Sequence, residues 1–186
     1  MLQRSLHELD HLAGTAEALL TWAGGSRPLH LRRTDLARIA WEAVETCRLE
    51  TGVDGVVLRT PGRAFARMDG ETVRAALANL VRNALAHANP GTVVEVDVER
   101  SNGQVQVSVK DRGPMIHESE REAIFDPFVR GSTAGGNRQG AGLGLFIARR
   151  IVEAHHGRLW VESDPEETTF FLALPGGQGG QRRAAS

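Results

Sequence analysis

Two runs of alternating β-branched residues constrain the fold most: Thr92–Glu99, carrying Val93, Val94, Val96 and Val98, and Gln104–Lys110, carrying Val105, Val107 and Val109. Ser101-Asn102-Gly103 lies between them. Asn-Gly joining such runs is a strong hairpin signal, because a left-handed residue turns the chain in the sense that twisted strands require. The alternation predicts an antiparallel pair with one apolar face, and that face has to be covered by another layer.

The flanking segments supply the cover. From Val73 to Leu85, the residues Val73, Leu77, Leu80, Val81, Ala84 and Leu85 form a stripe at helical period. Asp69 is the predicted N-cap of this helix, and Asn89-Pro90-Gly91 its stop. Asn79 and Asn83 are four residues apart, so a helix stacks both amides on one side, beside the apolar stripe. An amide so close to a core must find partners for one acceptor and two donors.

Upstream, Leu29–Arg33 alternates like a short strand. Asp35, or Thr34 before it, then caps a helix to about Glu50 with Leu36, Ile39, Ala40, Ala43, Val44 and Cys47 inward. Val56–Arg59 and Ala64–Ala66 are short strand candidates around the Thr60-Pro61-Gly62 turn. Residues 113 to 140 are irregular and glycine-rich, and a loop of that length in a compact domain is usually functional. A last helix runs from Gly142 to about His156, with Gly157 as its stop, and Arg158–Ser163 and Thr168–Leu174 complete the sheet. The predicted fold is an α/β (α+β) two-layer sandwich: a mixed, mostly antiparallel sheet with helices on one face and a long loop.

Residues 1–25 read as one amphipathic helix with Leu2, Leu6, Leu9, Leu12, Ala16, Leu19 and Leu20 on its apolar side, half of a helical hairpin or of a dimer interface. Residues 29–175 form the main domain. From Gly176 to Ser186 no core-forming residue occurs, and a disordered tail is expected.

A net charge of −1 over 186 residues, with no basic stripe, gives no footprint for nucleic acid. The single cysteine, Cys47, excludes an internal disulfide framework. No apolar run approaches the ~20 residues that span a bilayer, so no membrane contact by this segment is expected. The expected location is cytoplasmic, either free or as the intracellular portion of a membrane-bound receptor.

Asn79 to Asn83, then Asp111-Arg112-Gly113, then Gly140-Ala141-Gly142-Leu143-Gly144, in this order and spacing, resemble the catalytic ATP-binding domain of bacterial sensor histidine kinases. That domain belongs to the superfamily that includes gyrase, mismatch-repair ATPases and the large heat-shock chaperone. The resemblance covers roughly residues 29 to 175. It implies ATP and Mg²⁺ as ligands, with the glycine-rich loop as a lid.

On this resemblance Asp111, just past a strand end, accepts from the adenine amine. Gly113 lets the backbone approach the base, and Thr168 and His87 also line the nucleotide pocket. Asn83 gives one amide oxygen to Mg²⁺, which needs few protein ligands when phosphates complete its shell. Asn79 acts through a magnesium-bound water or is a buried structural amide. Gly140, Gly142 and Gly144 open the last helix, whose N–H groups and positive end suit phosphate. Phe125-Asp126-Pro127-Phe128 resembles the family's lid motif, a clasp folding the lid onto the domain. Arg130 and Arg138 are candidate phosphate contacts from that lid.

Hydrolytic relatives carry glutamate at the position of Asn79, where it can act as general base. An amide cannot take a proton at neutral pH, whereas a neutral imidazole is already nucleophilic. Asn79 and Asn83 are thus the expected catalytic residues of transfer to histidine rather than of ATP hydrolysis. The implied partners are a histidine-bearing dimerisation domain and a downstream response regulator. His7-Glu8-Leu9 is followed by Asp10-His11-Leu12 and not by the family's Arg-Thr-Pro, so no phospho-acceptor is expected in this chain. Ala86 stands where the family has Lys or Arg, and Met115 replaces a glycine. The alternative is a degenerate nucleotide-binding or protein-contact module.

Overall fold

The structure, a computed structural model, describes residues 28–101, 103–129 and 142–176. The predicted N-terminal helix with His7 and His11, the lid arginines Arg130 and Arg138, Gly140, and the tail beyond Gly176 lie outside the described residues.

The described elements are β1 (Arg32–Asp35), α1 (Leu36–Thr51), β2 (Val56–Arg59), β3 (Phe65–Met68), α2 (Gly70–His87), β4 (Val94–Ser101), β5 (Gln104–Asp111), α3 (Gly144–Ala154), β6 (Arg158–Ser163) and β7 (Thr168–Pro175). The main sheet has the order β2-β4-β5-β7-β6, and β1 and β3 form a separate antiparallel pair. Only the β2–β4 pairing is parallel within the main sheet. The mixed, mostly antiparallel sandwich predicted above is the fold observed.

Alternation decides what faces the helices. Val105, Val107 and Val109 of β5, Val94, Val96 and Val98 of β4, and Phe170, Leu172 and Leu174 of β7 are buried in one core. Against them pack Leu36, Ile39 and Val44 of α1, Val73, Leu77, Leu80 and Val81 of α2, and Ala148 and Val152 of α3. Asp111 has the parity of Val109, and Thr168 that of Phe170, so both turn toward the helix layer at one end of the sheet. The opposite face carries residues such as Asp97, Ser108, Lys110 and Phe171, around a polar cleft of about 550 Å³.

Caps fix where the helices begin. The Asp35 carboxylate accepts from the Ala37 N–H at 3.2 Å and from the Ala64 N–H at 2.9 Å, so one side chain caps α1 and ties it to the approach of β3. Asp69 caps α2 by accepting from Thr72 N–H at 3.3 Å. The first strand lies later than Leu29–Arg33, at Arg32–Asp35, because the antiparallel register sets Asp35 opposite Phe65, where β3 begins, and Arg32 opposite Met68, where it ends. Within the stretch expected to be irregular, Glu118–Glu120 and Ala123–Phe125 form single 3₁₀ turns. The last helix starts at Gly144 and not at Gly142, because Gly142 is left-handed (φ 70°) and accepts the Phe128 N–H at its carbonyl, 3.0 Å away. Gly176, assigned above to the tail, donates to Gly103 O at 2.8 Å and bridges to Ala66.

Candidate functional site

Helix α2 is the spine of the site. Asn79, Asn83 and His87 recur every four residues along it, which spaces the first and last by about 12 Å along the axis. Asn79 and Asn83 are half-buried and His87 is exposed.

At the C-terminal end of α2 sits Asp111, the last residue of β5 and only 2 % exposed. Its register partner on β7 is Thr168, also buried. Burial pushes the Asp111 carboxyl up to about 6, against a smaller opposing effect from the Gly113 N–H, which favours the charged form. A buried carboxylate held without a cation is suited to accept from a neutral donor that enters the site. Gly113 is required here by the protein itself. A Cβ at that position would stand 2.4 Å from the His87 carbonyl oxygen and 2.7 Å from Asp111 Oδ1. The Asn89 N–H also donates to Arg112 O at 3.0 Å, so the end of α2 and the Asp111–Gly113 corner are locked together.

Thr168 is positioned in turn by a residue that sequence reasoning missed. Ser163 Oγ lies 2.6 Å from Thr168 Oγ1, and Ile116 N–H donates to Ser163 Oγ at 2.9 Å. Arg121 Nη2 closes the same corner on Ser163 O at 2.6 Å. A serine ending a β-strand carries no local signal of this pairing, which exists only because the β6–β7 turn brings residue 163 back to residue 168.

At the other end, Asn79 lies against Gly144, the first residue of α3: a Cβ added there would touch the Asn79 Cγ and Oδ1 at 3.7 Å. Among the described residues no side chain caps the N-terminus of α3, and its first turn holds no acidic residue. Its leading N–H groups and positive end therefore suit an anion. Gly142, expected to cradle phosphate, packs on the Phe128 and Val129 backbone, where a Cβ would stand 3.0 Å from Val129 O. Of the clasp pair, Phe125 is buried edge-on against Phe170, with ring centroids 6.3 Å apart, whereas Phe128 is 64 % exposed with φ 65°. Of the two departures, Ala86 is exposed and Met115 half-buried. Arg82, one residue before Asn83, bridges Glu50 and Asn79.

Among the described residues no cluster of three His, Cys, Asp or Glu side chains could cage a metal. The amide oxygen of Asn83 fits a different case, a hard cation carried in by phosphates that needs one more neutral oxygen.

Helix α2 thus runs from a buried carboxylate, beside which no cation stands among the described residues, to the N-terminus of α3. The chain belongs to the histidine kinase-, DNA gyrase B- and HSP90-like ATPase family, whose model matches residues 68–178. Within that family it is a catalytic ATP-binding domain of the sensor histidine kinase type. It is 35% identical over 185 residues to the adaptive-response sensory kinase SasA of Prochlorococcus marinus, covering 94% of this chain and 47% of SasA. The probable sensor histidine kinase TcrY of Mycobacterium tuberculosis is 31% identical, over 94% of this chain and 38% of TcrY. The chain thus spans less than half the length of these relatives. The mycobacterial sensor histidine kinase MprB superposes with a TM-score of 0.70 at 25% identity, covering 78% of this chain and 98% of that one. Full-length ShkA, solved in complex with AMPPNP, shares the fold with a TM-score of 0.72 at 23% identity, over 94% of this chain and 36% of that one.

Proposed function

We propose that this chain binds Mg-ATP along α2 and transfers the γ-phosphate to a histidine on a separate dimerisation hairpin, which passes it to a response regulator. The observation that carries this reading is the arrangement of α2, with Asp111 and Thr168 at one end and the open N-terminus of α3 at the other. The adenine amine donates to Asp111, Thr168 and Gly113 line that end with the last turn of α2 at His87, and the phosphates reach Gly144 and Asn79. Asn83 Oδ1 is the protein's oxygen for Mg²⁺, which when bound neutralises charge on the phosphates. The acceptor imidazole nitrogen attacks the γ-phosphorus, a P–N bond forms, and the β–γ bridging oxygen leaves with ADP. Asn79 takes no proton in that step, which an imidazole does not require.

Asn83→Ala is expected to lower Mg-dependent transfer to an added acceptor hairpin by roughly 10²-fold or more, the scale of losing one charge-stabilising contact. Transfer would be followed with labelled γ-phosphate, and unchanged transfer removes Asn83 from the site. Calorimetry on the unmodified chain tests binding itself: absence of heat at millimolar Mg-ATP leaves a protein-contact module instead.

A further inference from the structure

Arg82 bridges two helices at the phosphate end of the site. Its Nη1 donates to Glu50 Oε2 at 3.0 Å, on the last turns of α1, and its Nη2 donates to Asn79 Oδ1 at 2.7 Å, one turn back on α2. A guanidinium only donates, so it dictates which end of the Asn79 carboxamide faces it: the oxygen turns to Arg82 and the NH₂ turns away. That same carboxamide lies against Gly144 at the uncapped N-terminus of α3. Glu50 supplies the countercharge and the second anchor, which holds the fork in one geometry.

We infer that Arg82, anchored by Glu50, is a positioning residue that sets Asn79 as a hydrogen-bond donor to the nucleotide phosphates. This deepens the proposed function and rests on it. Asn79 then works as a donor, its oxygen already engaged, and it is neither a base nor a ligand to the metal. Glutamate at position 79 would form an ion pair with Arg82 and offer the phosphates an anion, so this chain's Arg82 and Asn79 belong together.

The test is calorimetric titration of the full chain with Mg²⁺ plus a non-hydrolysable ATP analogue, and separately with adenosine. Arg82→Met keeps the aliphatic stem and removes the donors. It is expected to weaken the triphosphate roughly tenfold, as for loss of a charge-assisted contact, while adenosine binding stays within about twofold. Arg82→Lys, which cannot span Glu50 and Asn79 together, should not restore the triphosphate. Combining Arg82→Met with Asn79→Ala should be no worse than Asn79→Ala alone, because the arginine acts through the asparagine. Additive losses would show direct phosphate contact by Arg82 and overturn the inference, as would an unchanged preference for triphosphate over adenosine. Should Arg82→Met unfold, Glu50→Gln gives the second reading, with a smaller loss confined to the triphosphate. No binding of either ligand by the unmodified chain would instead defeat the nucleotide site, and the inference with it.

Discussion

Asp111, in the role proposed for it, would serve the site at the expense of the fold. Desolvation raises its carboxyl from 3.8 to about 6, so the folded chain holds this proton more tightly than the unfolded one. Stability from this group is full below about pH 4, declines as pH rises toward 6, and stays reduced above that. The proposed adenine contact would make the opposite demand, because only the ionised carboxylate offers both oxygens as acceptors. Asp111→Asn should therefore raise the melting temperature of the nucleotide-free chain at pH 7, by the equivalent of about 1–3 kcal/mol, and eliminate detectable ATP binding. Wild-type affinity should fall as pH drops below 6, and a flat pH profile together with an unchanged melting point would place this carboxylate outside the site. A second residue carries strain without such a function. His156 adopts φ 57° directly after α3, a conformation that costs a side chain roughly 1 kcal/mol. His156→Gly should gain about that much in urea denaturation and leave nucleotide affinity unchanged; destabilisation would show that the exposed imidazole makes a contact that offsets the strain.

Between elements, the α2–α3 junction rests on a buried histidine. His155 is 4 % exposed; its Nε2 accepts the Asp69 N–H at 3.0 Å, and its Nδ1 lies 2.8 Å from Ile151 O. These partners fix the neutral tautomer with the proton on Nδ1, since Nε2 must accept. The ring joins the end of α3 to the start of α2, the two helices that also meet where Asn79 lies against Gly144. His155→Ala should cost about 2–4 kcal/mol, combining a cavity with an orphaned N–H, and chemical denaturation would measure it. A loss below about 1 kcal/mol would mean that water replaces the ring. Sequence pattern revealed the helices here, through the stripe from Val73 to Leu85 and the Asp69 cap. It could not reveal the His155–Asp69 contact or the Ser163–Thr168 pair, because residues 86 and five positions apart meet only through tertiary packing and a turn. Gly113 is legible in the sequence through the approach of a base, and the structure adds a neighbour that no local pattern shows, the His87 carbonyl. Local pattern identifies the residue type that a backbone needs, while the neighbour that enforces it belongs to the folded chain.

At the scale of the molecule, α2 is at once the middle of the core and the floor of the proposed site. Val73, Leu77, Leu80, Val81 and Ala84 are buried against the sheet, while Asn79, Asn83 and His87 run along the helix beside that stripe. Ligand binding and global stability are therefore coupled through a single helix. Nucleotide at about 100 times its dissociation constant should stabilise the chain by about 2.7 kcal/mol, because only the folded state assembles Asp111, Thr168 and the start of α3 into one site. For a domain of this size that corresponds to an upward shift of roughly 5–10 °C in melting temperature. At the same nucleotide concentration, chelating Mg²⁺ should remove most of the shift, since the phosphates then lose the cation that links them to Asn83. Amide exchange should slow along α2 and at the beginning of α3 together, and stay unchanged on the outer positions of β4. Protection confined to the Asp111 end, with a melting point indifferent to chelator, would show that the base binds but the phosphates do not engage α2. The transfer reaction would then have no platform on this chain.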